Sequence, residues 1–141
     1  MNTPKPLNTE SDASSQSATD LSHYVSDIEK WPESWMIDRP DLATGQALLA
    51  ALKPFIQHLV DQGLSKRTFK RHIDNLWALG GEIISKVNSD PSLREQSARS
   101  LVMDSVYDEG GPLLSDAFSP DSQQSFDTTC RKLYRFLKSS A

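Results

Sequence analysis

One cysteine in 141 residues, Cys130, excludes an intrachain disulfide and any cysteine-rich zinc module. His23, His58 and His72 are too far apart to form a ligand pair at three- or four-residue helical spacing, so neither a resident metal nor a cofactor is expected. The stretch Asp108-Glu109-Gly110-Gly111 lacks the ligand count of a calcium loop. No nucleophile is paired with a base, which argues against an enzyme. No apolar run approaches membrane-spanning length, and the first residues hold no apolar core that could serve as a secretory signal. The expectation is a cytoplasmic protein with no membrane association. Sustained alternation of apolar and polar residues is missing too, as is any internal repeat, which excludes sheets and solenoids.

What is present is helical grammar. Residues 1–20 are mostly Ser, Thr, Asn, Asp and Pro with almost no large apolar side chains, and read as a disordered polar tail. Residues 21–141 read as a single helical domain. Leu21, Tyr24, Val25 and Ile28 suggest a short helix, followed by an aromatic loop in which Trp31 and Trp35 seal the core around Pro32. Thr44 is placed to cap a helix from about Gly45, whose apolar face is Leu48, Leu49, Leu52, Phe55, Ile56, Leu59 and Val60. Pro54 removes a donor inside it and predicts a kink or break. Gly63 suits a left-handed helix stop.

Ser65 then caps a second long helix with a stripe of Phe69, Ile73, Leu76, Trp77, Gly80, Ile83, Ile84 and Val87. Gly80 and Gly81 in its middle suggest that a neighbouring helix crosses closely, with a bend as the rival explanation. Asp90 and Pro91 open a third segment through Leu93, Leu101, Val102 and Val106 that ends before Gly110-Gly111-Pro112. Ser119 and Pro120 open a last helix carrying Phe126, Cys130, Leu133, Tyr134 and Leu137, with Cys130 a packing residue. The fold class is therefore all-α, a compact bundle of about four to five helices, with residues 45–88 as its central helix pair.

Charge is unevenly spread. Residues 1–45 hold three cations against eight acids, and residues 46–141 hold twelve against eleven. The folded part is nearly neutral, so anion binding must come from local clustering. Lys66, Arg67, Lys70 and Arg71 provide such a cluster at a helix amino terminus, where the backbone dipole already presents positive charge and cations are disfavoured. They span roughly 140° of the helix wheel. Together with the Ser65 and Thr68 hydroxyls they suit phosphate oxygens; an ordinary solvated face, with Asp74 four residues after Lys70, explains them equally well. Asp104, Asp108 and Glu109 form an acidic segment that could answer this flank within the fold or in a neighbouring copy. Arg131, Lys132, Arg135 and Lys138 complement the dipole at the end of the last helix, and would widen the basic surface only if they faced the same way.

Gly63-Leu64-Ser65 followed by Thr68, Phe69, His72 and Leu76 resembles the motif of the core-binding, SAM-like domain of tyrosine recombinases and phage integrases. The likeness covers about residues 45–87. His72 stands where that family usually has Tyr, and Leu76–Ile83, LWALGGEI, departs from its usual continuation. The resemblance implies a small helical domain that grips double-stranded DNA, with Ser65, Lys66, Arg67, Thr68, Lys70 and Arg71 as its contacts. Tyr24, Tyr107 and Tyr134 lack the Arg, Lys and His surroundings of a cleaving tyrosine. The expected function is thus a non-catalytic DNA-binding module linked to recombination or a mobile element, its catalytic partner being a separately encoded recombinase. The alternative is a regulatory module that binds an acidic protein partner and no nucleic acid.

Overall fold

A computed structural model describes residues 21–114 and 119–139. The expectation for residues 1–20 lies outside the described residues. Two 3-10 turns, Leu21–His23 and Ile28–Lys30, lead into five α-helices: α1 (Trp31–Trp35), α2 (Asp41–Asp61), α3 (Lys66–Ser89), α4 (Ala98–Ser105) and α5 (Pro120–Ser139). Among the described residues there is no strand, only an isolated bridge between Tyr107 and Gly110.

The long helix α2 is the centre of the packing, with α1, α3 and α4 laid against it and α5 against α3. Leu48, Leu49, Leu52, Phe55, Ile56 and Leu59 are buried as their spacing predicted. Two expectations about α2 are corrected. It begins at Asp41, not at a Thr44 cap, because Asp41 reaches back to the Asp38 amide (2.9 Å) and accepts its hydrogen bond. Of the kink or break expected at Pro54, the break does not occur: the helix runs on to Asp61, since burial of the flanking Leu52, Phe55 and Ile56 outweighs one lost backbone bond.

Gly63 takes the left-handed conformation (φ 66°) that ends α2, and the Ser65 hydroxyl accepts from the Thr68 amide to open α3. Within α3, Trp77 is 46% exposed rather than part of the buried stripe, while His72 and Leu79 are buried. The Trp77 indole is held at the surface because its N–H donates to the Ser34 hydroxyl (2.9 Å). The stretch around Pro32 is helix α1 rather than a loop. Its Trp35 lies flat on Gly80, and the Trp35 indole donates to the Trp77 carbonyl (2.9 Å), so the two tryptophans lock α1 to α3 reciprocally.

The third segment is not one helix. Asp90 precedes a 3-10 turn, Pro91–Glu95, and a second cap, Ser97, accepts from the Ser100 amide (3.1 Å) to start α4. Val106 is buried but lies beyond the helix. Ser119 caps α5 by accepting from the Ser122 amide (3.1 Å). Asp127 and Gln123 of α5 hold the strap that precedes it, through the Gly111 amide (3.2 Å), the Pro112 carbonyl (3.1 Å) and the Leu114 amide (2.7 Å).

Candidate nucleic-acid interface

Lys66, Arg67, Lys70 and Arg71 occupy the first two turns of α3 and are all exposed. Lys70 pairs with Asp74 one turn on (3.2 Å), both side chains being well exposed, an arrangement that contributes only a few tenths of a kcal/mol. Lys66, Arg67 and Arg71 form no ion pair among the described residues. The first turn of α3 holds no acid to answer its dipole. The Ser65 hydroxyl is engaged locally, accepting from the Thr68 amide (3.2 Å) and donating to the Thr68 hydroxyl (3.0 Å). It serves first as a helix cap.

The acidic segment does not meet this flank. Asp104, Asp108 and Glu109 are exposed and form no ion pair among the described residues. The Glu109 carbonyl instead accepts from Arg131 (3.3 Å). The carboxylates beside the cations are Asp27, Asp74 and Asp121, which share with Arg67, Lys70 and Arg71 a trough of about 900 Å³ along the outer face of α3. One wall is the Asp27–Trp31 segment and the other is Leu114 with the first turns of α5. The trough is therefore mixed in charge, and its positive end is the one nearest the start of α3.

Behind that end lies a polar seam between α3 and α5. The His72 ring Nδ1 sits 2.7 Å from the Thr129 hydroxyl, and the Asn75 side-chain amide donates to Thr129 Oγ1 (2.9 Å), Ser125 Oγ (3.1 Å) and the Ser125 carbonyl (3.1 Å). Pairing His72 with Thr129 and Asn75 with Ser125 makes the two helices antiparallel. Burial lowers the His72 pKa from its ordinary 6.5, and the charges of Lys132 and Arg71 lower it further. Nothing in the hydrophobic pattern announces this seam, since His72 and Asn75 are polar residues on a face turned toward a helix about fifty positions away.

The seam predicts an acid-sensitive contact. Below pH 6.5 the unfolded chain binds a proton that folded His72 resists, so stability declines as pH falls from 6.5 toward the folded value. Chemical unfolding across about pH 5 to 8 is expected to show this decline, and His72→Gln to flatten it. A decline of equal slope in the variant would assign the effect elsewhere.

His58, Phe55 and Phe136 form a three-ring cluster at the edge of the core, with His58 6.1 Å from Phe55, 4.9 Å from Phe136 and the two phenyl rings 5.4 Å apart. Cys130 is buried, and burial together with the Asp127 charge pushes its thiol up to about 12, which leaves it unreactive at neutral pH. Among the described residues no group of His, Cys, Asp and Glu could hold a metal ion, and no helix is long and apolar enough to cross a membrane.

Comparison with family models, curated proteins and solved structures gave no match.

Proposed function

We propose that the protein is a non-catalytic module that binds double-stranded DNA through the cationic start of α3. The observation that carries this reading is that Lys66, Arg67 and Arg71 stand exposed, with no ion pair among the described residues, on a capped helix whose dipole adds to their charge. Such an end lowers its own energy by taking up phosphate oxygens. The likeness of Gly63 to Leu76 to recombinase core-binding domains supports the same assignment, with a recombinase supplied separately.

A second reading, docking of a protein segment, has its own support in the trough, which Asp27, Asp74 and Asp121 line together with the cations and the exposed Trp77. Salt separates the two. Neutralising about four phosphates gives a log-log slope of roughly −3 to −4, so duplex affinity measured by fluorescence anisotropy is expected to fall about 100-fold between about 50 and about 200 mM salt. Replacing Lys66, Arg67 and Arg71 together by Ala is expected to remove most of that slope. Absence of duplex binding at low salt would sink the DNA reading and favour the protein segment.

A further inference from the structure

The basic residues near the end of α5 stand in a definite relation to the α3 flank. The antiparallel pairing of His72 with Thr129 places the carboxyl half of α5 beside the first turns of α3. Lys132 lies one turn beyond Thr129 and Arg71 directly precedes His72. At about 100° per residue both fall on the solvent side of the crossing, one on each lip of the α3–α5 crevice. Arg135 is one turn further along the same outer side of α5, as Arg67 is on α3. Neither Arg71 nor Lys132 forms an ion pair among the described residues. Between them His72 and Thr129 are buried and bonded to each other, with no carboxylate in that pair to neutralise the cations, and Lys132 with Arg135 also lines a recess beside His58 and Phe136.

We propose that Arg71 of α3 and Lys132 of α5 are the two jaws of one phosphate clamp that straddles the α3–α5 crevice, so that the DNA surface is built by two helices. This rests on the DNA-binding reading above and names a contact residue in a second helix, distant in sequence from the motif that suggested it. Two like charges held on opposite lips repel each other across the gap, and a phosphodiester seated between them removes that repulsion while accepting hydrogen bonds from both. Because both cations also act on His72, a seated phosphate offsets their fields at the imidazole, which makes the ring a reporter of occupancy.

The test combines duplex binding with nuclear magnetic resonance of the His72 ring in the full chain. Lys132→Gln is expected to weaken binding about 5- to 10-fold at about 0.15 M salt and to reduce the magnitude of the log-log salt slope by about 1, with Lys132→Arg restoring both. Arg71→Gln should do the same, and the double variant should lose less than the product of the two single losses, as for groups sharing one ligand. Duplex should raise the titration midpoint of His72 in the wild type, and less so in Lys132→Gln. If wild type binds duplex and Lys132→Gln, with an unchanged unfolding curve, binds with the same affinity and slope, the clamp is overturned while the DNA reading stands. If wild type binds no duplex at low salt, both fall.

Discussion

Alanine at Gly80 is expected to cost about 3 kcal/mol of stability, at the upper end for overpacking, although alanine is the better helix former by about 1 kcal/mol. A Cβ built on Gly80 would come within 2.1 Å of Trp35 Cζ2 and within 2.6 Å of two further atoms of the same ring. The indole cannot swing aside cheaply, because it is 5% exposed and its N–H is held by the Trp77 carbonyl. Trp35→Ala alone should cost about 3 to 5 kcal/mol through the cavity it opens. The decisive measurement is the double-mutant cycle by urea unfolding. Once Trp35 is gone, Gly80→Ala should reverse sign and stabilise by up to about 1 kcal/mol. An equal penalty in both backgrounds would show that the indole does not rest on this glycine.

Asp41→Ala should destabilise by about 3 kcal/mol, the lower end for breaking a buried pair, since the Arg94 side chain keeps 24% exposure. The Asp41 carboxylate has no solvent exposure and accepts from the Asp38 amide (2.9 Å), Asn88 (3.1 Å) and Arg94 (2.8 Å), tying the start of α2 to the end of α3 and the turn after it. Burial pushes its pKa up, but the hydrogen bonds from Asp38, Arg94 and Asn88 and the charge of Arg94 outweigh it, leaving the carboxyl below its ordinary 3.8. The unfolded chain therefore binds the proton first as pH falls. The stabilisation is fully present above pH 3.8 and is lost as pH drops through the folded value. Asp41→Asn keeps an acceptor for the Asp38 amide and should lose less than Asp41→Ala, while shedding this acid dependence. Acid unfolding curves that coincide for wild type and Asp41→Asn would contradict the linkage.

These two sites mark where sequence reasoning runs short. Helix caps at Ser65 and Ser119, the stop at Gly63 and the apolar face of α2 were legible because each depends on residues within one or two turns of one another. Gly80 and Gly81 signalled a close approach, but the approaching group, an indole from a helix of five residues, could not be read from them. Asp41 was overlooked because an acid in a first helical turn is ordinary by dipole alone, and its partners Asn88 and Arg94 lie some fifty positions away. The cationic cluster at Lys66 to Arg71 was visible at once, being contiguous.

The long helices, the caps at Ser65 and Ser119 and the stop at Gly63 are properties of the amino-acid order, since propensity, capping and hydrophobic period act over a few residues and need no knowledge of neighbours. Which helix meets which was settled only by the folded chain. The seating of Trp35 on Gly80, the burial of Asp41 against Arg94, and the pairing of His72 with Thr129 each join groups over forty residues apart. Side-chain shape, desolvation and charge take effect at such distances along the chain only after packing has brought the partners together.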